Sequence, residues 1–192
     1  MTMKRVAGMI ALLAGAAFSG AALAETYFGV ELGSSDAKDF CAQRGSSCDK
    51  TGSPWRVFGT NYLTRNVGIE AGYIDLGKTT DRDAVSDTKI EARAGELLAL
   101  IAYRARSASI FAKVGGYYAG TKMTVSTAGG ASALHTTDSN GGLVYGLGAQ
   151  VDLSSRFAVR GDWHRYAKVG GTSTGGDTDI DAFLLGIVWK FR

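Results

Sequence analysis

Apolar and polar positions alternate along most of the chain after residue 24, and the alternation is clearest in its last stretch, DIDAFLLGIVWKFR. Every second residue there is large and apolar: Phe183, Leu185, Ile187, Trp189 and Phe191. The side chains of a β-strand point alternately to opposite faces, so the pattern predicts a strand with one continuous apolar face. A face bounded by aromatic residues is typical of a lipid-facing strand in an outer-membrane barrel.

The same period of two predicts seven further strands, which makes the fold class all-β. The eight predicted strands cover residues 27–33, 55–63, 67–76, 90–104, 107–118, 142–153, 157–166 and 179–191. Within the fourth strand, residues 96–103 have a composition that also suits a helix.

Long and short connections alternate strictly between the predicted strands. The short ones lie around 64–66, 106–107 and 154–155, and the long polar ones cover 34–53, 77–89, 119–140 and 167–178. Alternate connections of an up-and-down barrel lie on the same rim, and outer-membrane barrels have short periplasmic turns and long extracellular loops. The Ser, Thr, Gly, Asp and Ala content of the long connections predicts flexible, hydrated loops.

Charged residues of the predicted strands fall almost entirely on the face opposite the apolar band. They are balanced in sign: Glu31, Arg56, Glu70, Glu96, Lys113, Arg160, Asp162 and Lys190. A soluble lipocalin-like ligand carrier, an alternative class, would have an apolar interior and charges outside. A lipid-facing Arg or Lys near the bilayer midplane would cost about 2–4 kcal/mol. The pattern therefore favours an eight-stranded antiparallel up-and-down transmembrane β-barrel with an interior filled by side chains, and not a general porin.

The first 24 residues have the features of a secretory signal peptide. Lys4 and Arg5 precede an apolar run over 6–18, and the ALA tripeptide at 22–24 is a small-x-small cleavage site. We expect cleavage before Glu25 and a single barrel domain over 25–192. No later stretch of about 18 apolar residues predicts a transmembrane helix.

Net charge gives no indication of a nucleic-acid partner. The chain has 21 Lys and Arg residues against 18 Asp and Glu residues, and two of the basic residues lie in the predicted signal peptide. The remainder is close to neutral, whereas nucleic-acid binding requires a basic surface.

Cys41 and Cys48 are the only two cysteines, and both lie in the first long connection. An even number of cysteines in an exported chain favours a disulfide, which would stiffen this connection. Metal binding is the alternative, and the absence of a nearby histidine weakens it. We expect no metal and no cofactor.

The sequence resembles the OmpA-like family of eight-stranded outer-membrane barrels. The resemblance is carried by VFGTNY at 57–62, NVGIEAGY at 66–73 and DLG at 75–77, with similar stretches at 110–116, 156–166 and 186–191. It extends over 25–192 and implies a protein of the Gram-negative outer membrane, surrounded by lipid. It also implies a structural acid/base cluster in the interior, consisting of Glu70, Lys113 and Arg160, with Asp162 on the same face.

The resemblance has two further implications for particular residues. Ile187, Trp189 and Phe191 would form a C-terminal signal for the barrel-assembly machinery, although Arg192 follows the phenylalanine. Leu100 and Gln150 stand where the family would have a lysine and an acid.

The predicted function is a structural or surface-interaction role, with a host or environmental ligand at the four long loops. A lipid-modifying outer-membrane enzyme is the alternative, and it would need a nucleophile, a base and an orienting acid. His135 is in a long loop. His164 is inward, two residues from Asp162 and within reach of a hydrogen bond to it, but no serine shares its strand face. We therefore predict no enzymatic activity and no catalytic residues.

Overall fold

The computed structural model describes residues 25–37, 48–49, 51–82, 86–127, 133–171 and 176–191, whose regular structure is entirely β-strand. The strands are β1 (Thr26–Ala37), β2 (Cys48–Asp49), β3 (Thr51–Gly52), β4 (Trp55–Tyr62), β5 (Val67–Arg82), β6 (Ser86–Ala105), β7 (Ala108–Thr127), β8 (Ala133–Asp152), β9 (Phe157–Gly171) and β10 (Gly176–Phe191).

Eight long strands, β1 and β4 to β10, form a closed antiparallel barrel. Each pairs with the next long strand, and β10 pairs back with β1 in a register that runs from Thr26↔Phe191 to Ala37↔Ile180. The short strands β2 and β3 pair with β5 and β1 respectively. Closure gives the edge strands a hydrogen-bonding partner, which lipid cannot supply. The predicted eight-stranded up-and-down barrel is confirmed.

Strand β6 resolves the ambiguity between helix and strand. Glu96 and Leu98 are buried inside the barrel, whereas Leu97 and Ala99 are exposed on its outer surface. This alternation has a period of two, so the stretch is a strand despite its composition.

Among the described residues, no helix has the length and apolar character needed to cross a membrane.

The short connections are tight turns, and two of them use the same side-chain device. The hydroxyl of Thr64 accepts hydrogen bonds from the backbone N–H groups of Asn66 and Val67, at 3.3 and 3.1 Å. Ser154 does the same for Arg156 and Phe157, at 3.2 and 3.0 Å. Such local hydroxyl-to-backbone bonds stabilise turns, which explains why Thr and Ser open these two connections.

The prediction of long flexible loops is wrong for much of their length. Strands β5 and β6 continue to Arg82 and from Ser86, and β7 and β8 remain paired as far as Ser126↔Ala133. Strand β9 likewise continues to Gly171. Polar side chains do not prevent pairing, because the backbone groups of these stretches bond to their neighbouring strand as well as they would to water. We call this region of continued strands the long-hairpin end, and the opposite rim the short-turn end.

The DLG motif at 75–77 marks where β5 leaves the regular register. The pairing of β5 with β6 shifts between Asp75 and Lys78, and Gly77 has a φ of 87°. The Asp75 carboxylate accepts a hydrogen bond from the Gly77 N–H at 3.0 Å. A left-handed conformation at a bulge favours glycine, so the motif is a structural one.

Two apolar layers fill the barrel at different heights. The upper layer, toward the long-hairpin end, contains Ile74, Leu98, Tyr117, Val144, Tyr166 and Leu184 among its buried side chains. The lower layer, toward the short-turn end, consists of Tyr27, Phe58, Tyr62, Leu100, Ala102, Phe111, Ala158 and Val188. Large apolar side chains also cover the outside of the barrel, including Leu97, Ile101, Ile110, Leu147 and Leu185. An exposed band of this kind requires lipid around it.

Candidate functional site

Arg56 is the centre of a charge cluster that lies between the two apolar layers. Its strand, β4, turns every second residue inward, and Arg56 is fully buried. The guanidinium forms hydrogen bonds with three carboxylates on three other strands, and the Asp162 carboxylate lies 3.7 Å away. The guanidinium bonds to Glu31 (Nη1 to Oε2, 3.0 Å), to Glu70 (Nη2 to Oε1, 2.6 Å) and to Glu96. The planar guanidinium has five N–H donors, which allows one side chain to serve several acids.

Lys113 and Arg160 complete the cluster from the other side of the barrel. Lys113 Nζ lies 3.0 Å from Glu70 Oε1 and 2.7 Å from Asp162 Oδ2. Arg160 lies 2.8 Å from Glu70 Oε2 through Nη2, and 3.1 Å from Asp162 Oδ2 through Nε. The structure therefore brings Glu70, Lys113, Arg160 and Asp162 into direct contact with one another.

The four residues singled out from the sequence belong to a larger cluster of seven charged side chains. Arg56, Glu31 and Glu96 belong to it as well, and alternation alone had placed them on the inward face. Lys190, also inward, is instead at the short-turn end, where its Nζ lies 2.8 Å from Asp152 Oδ2. Alternation along a strand gives the face of a residue but not its height in the barrel, which depends on strand tilt and register.

His164 does not make the hydrogen bond to Asp162 that its spacing suggested. Its Nε2 is 3.8 Å from Asp162 Oδ2, which is too long for a hydrogen bond. Its Nδ1 lies 3.2 Å from the Tyr166 hydroxyl, which donates to Glu96 Oε2 at 2.7 Å. The Asp162 carboxylate is held instead by Lys113 and Arg160, which keeps it out of hydrogen-bond distance of His164.

Two phenylalanines of the lower layer form an aromatic floor under the basic groups. The Phe58 ring lies 4.5 Å from the Arg56 guanidinium and 4.4 Å from that of Arg160. The Phe111 ring lies 4.3 Å from Arg160 and 5.3 Å from Lys113. Cations over aromatic faces are stabilised electrostatically, so this floor supports the cluster as well as covering it.

Glycines make room for this floor. A Cβ atom at Gly29 would collide with the Phe58 ring, and one at Gly148 would collide with both Phe111 and Asp162. The interior glycines are therefore part of the packing of the cluster. Leu100 and Gln150 are buried as well, and Gln150 Nε2 donates to Asp152 Oδ1 at 3.3 Å.

The described residues form no metal site around the cluster. Nowhere in the described part of the chain do three His, Cys, Asp or Glu side chains form a group that would hold a metal ion. The cluster is made of fully buried, mutually paired ions, an arrangement in which each partner is needed to compensate the others.

Ile187, Trp189 and Phe191 lie on the outward face of β10 and are exposed. The Trp189 ring is 5.5 Å from Phe157 and is stacked on Phe191 at 5.6 Å. These aromatic residues border the apolar band at the short-turn end.

The signal peptide and the disulfide are predictions that fall outside the described residues. Residues 1–24 and Cys41 are not described, and of Cys48 only the backbone is described, in β2. The disulfide and the signal peptide therefore stay predictions. The side chain of His135 is also outside the described part.

The long-hairpin end carries charges of both signs, and several of them are paired with each other. Arg165 bonds to Asp181 through two contacts of 2.6 and 2.7 Å, and Arg93 Nε lies 2.9 Å from Asp75 Oδ2.

Comparisons with known proteins agree with this geometry. The model of the OmpA-like transmembrane domain matches residues 21–192. No curated protein matches the chain in sequence.

Several solved structures share the fold. Ail, the attachment invasion locus protein of Yersinia pestis, is 15% identical with a TM-score of 0.59, and the match covers 87% of this chain and 98% of that one. Neisserial surface protein A is 13% identical (TM-score 0.57; 90% and 100% covered), and OprG from Pseudomonas aeruginosa is 14% identical (0.56; 88% and 96%). A second Ail structure contains the heparin analogue sucrose octasulfate. At these identities the likeness shows the fold alone.

Proposed function

Because the chain belongs to the OmpA-like transmembrane domain family, we propose that it is an outer-membrane barrel with a structural or surface-interaction role. The apolar band would lie in lipid, the short-turn end would face the periplasm, and the long-hairpin end would face outward. Export would use the signal peptide at 1–24, which is cleaved before Glu25. The C-terminal residues Ile187, Trp189 and Phe191 would be recognised by the barrel-assembly machinery.

One observation carries the proposal that the protein does not act as a general porin. The charge cluster reaches from β1 through β4, β5, β6 and β7 to β9, across the interior. Its ions are almost completely buried, and apolar layers lie above and below. An eight-stranded barrel is only wide enough to be filled by side chains, so a water-filled path would require this network to separate.

The surface role is supported by the hairpins that extend beyond the apolar band. Paired strands present side chains on a defined scaffold, and this favours recognition of a host or environmental ligand. Ail is seen in complex with the heparin analogue sucrose octasulfate, but the charges described at this end of the present chain are of both signs, and several are paired. We therefore favour a ligand of low or mixed charge over a heparin-like one.

We further infer that the barrel is not an enzyme, in contrast to the lipid-modifying alternative. His164 is completely buried in the interior and faces Tyr166 and Asp162 rather than lipid. Catalysis on an acyl chain would require a nucleophile beside this histidine with access from the membrane. The cluster of Glu70, Lys113, Arg160 and Asp162 is proposed as structural.

The experiment combines conductance with binding. The purified barrel is placed in planar bilayers, and cells that display it are tested for adhesion to matrix proteins and polysaccharides. We expect no sustained conductance, and adhesion that is lost when the exposed hairpin residues Lys122, Thr137 and Ser139 are replaced by Ala. A matched replacement within the short turn 153–156 should leave adhesion unchanged. Steady channel conductance, or adhesion equally insensitive to both replacements, would contradict the proposal.

A further inference from the structure

The short-turn end of the barrel contains an open vestibule of about 400 Å³ that is separate from the charge cluster. Four basic side chains line it, Arg65, Arg104, Arg106 and Lys190, against the two carboxylates of Glu25 and Asp152. The lower apolar layer, with Tyr27 and Tyr62, forms its inner wall.

The two carboxylates are already engaged by two of the bases. Arg104 Nη1 lies 2.6 Å from Glu25 Oε2, and Lys190 Nζ lies 2.8 Å from Asp152 Oδ2. Arg65 and Arg106 are exposed and have no ion-pair partner among the described residues. The vestibule therefore has an excess of positive charge that its own acids do not neutralise.

The guanidinium of Arg104 adds to this positive charge from the vestibule wall. It stacks 4.0 Å above the Tyr62 ring, and its Nη1 atom keeps the ion pair with Glu25. An anion with several oxygens would bond to the exposed guanidinium groups of Arg65 and Arg106 together.

We propose that the vestibule binds the phosphate group of an anionic phospholipid from the surrounding inner leaflet. The short turns carry exposed Leu63 and Leu153 next to the aromatic band that ends at Phe157 and Phe191. Apolar turn residues and interfacial aromatics place this rim at headgroup level, where phosphates lie. A net positive site favours an anionic lipid over a zwitterionic one. This membrane placement rests on the outer-membrane orientation proposed above.

The test is a titration of the folded, isotope-labelled protein in a neutral detergent, followed through backbone amide signals. The probes are short-chain phosphatidylglycerol, short-chain phosphatidylcholine, inorganic phosphate and a peptidoglycan disaccharide peptide. We expect saturable shifts at Ala105, Ala108 and Ser109 with phosphatidylglycerol, and binding of the other three that is weaker by roughly tenfold or more.

Variants locate the site without disturbing the fold. The double variant Arg65→Gln, Arg106→Gln removes exposed, unpaired groups and should weaken phosphatidylglycerol binding by roughly tenfold or more. Arg156→Gln is the matched control, because Arg156 is exposed on the third short turn but does not line the vestibule. Binding that falls equally in both variants would mean a general charge effect and overturn the proposal.

Equal or tighter binding of inorganic phosphate or the peptidoglycan fragment would overturn the lipid assignment, and an absence of saturable shifts would overturn the site. The titration needs no cell surface, so its failure would leave the proposed surface role standing.

Discussion

At the scale of single residues, Arg56 does most to hold the charge cluster together. It contacts Glu31, Glu70 and Glu96 from one position on β4, and all four side chains are buried. Removing one member of a buried ion network is costly, because the remaining charges lose their compensation in a medium of low polarity. The cluster is therefore cooperative, and its members are not interchangeable.

Arg56→Met should destabilise the folded barrel by about 3–5 kcal/mol, since it leaves carboxylates buried without their main partner. Urea unfolding in lipid vesicles, followed by tryptophan fluorescence, measures the change. Lys78→Met is the control: Lys78 is largely exposed and lies 3.5 Å from Glu91, and an exposed ion pair contributes about 0–1 kcal/mol. Equal losses in the two variants would contradict the role given to Arg56.

Gly148→Ala should destabilise the barrel by about 1–3 kcal/mol, the usual cost of overpacking a core. Its new methyl group would collide with Phe111 and Asp162, two neighbours held in place by the cluster. Gly95→Ala is matched to it, because a Cβ at Gly95 meets no atom within 4 Å. The same unfolding measurement should find Gly95→Ala neutral, and a comparable loss there would remove the packing explanation.

At the scale of strands and turns, the sequence predicts which face of the barrel each residue occupies better than it predicts where each strand ends. The period-two pattern located eight strands because burial differs sharply between lipid and interior. It placed strand ends too early, as in β7, which continues from the predicted end at 118 to Thr127. Beyond the membrane both faces of a strand meet water, so the alternation disappears while backbone pairing continues.

Amide hydrogen exchange distinguishes paired hairpins from flexible loops. Residues 120–125 of β7 pair in register with β6 on one side and with 134–139 of β8 on the other, so we expect their amides to exchange slowly in detergent-solubilised protein. The short turn at 153–156 provides the reference for fast exchange. If 120–125 exchanged as fast as the turn, the extended strands would be wrong and the original expectation of flexible loops would hold.

At the scale of the whole molecule, the apolar outer surface and the charged interior of the barrel both follow from its placement in lipid. The bilayer excludes charges from the outer surface, so the interior must pair them, and the apolar layers isolate the pairs from water. Which face each charge occupies was predictable from sequence. The membership of Arg56 in the cluster and the position of Lys190 at the vestibule were not, because tilt and register set the height of each strand.

The central claim is a closed barrel embedded in the outer membrane, and gel mobility of the membrane fraction tests it most directly. The membrane fraction is washed with carbonate and analysed by detergent gel electrophoresis, with and without boiling. A closed barrel held by its complete hydrogen-bonded sheet should resist detergent until boiled, so we predict carbonate-resistant protein whose mobility shifts on boiling. Protein released into the soluble periplasmic fraction, with identical mobility before and after boiling, would contradict the account.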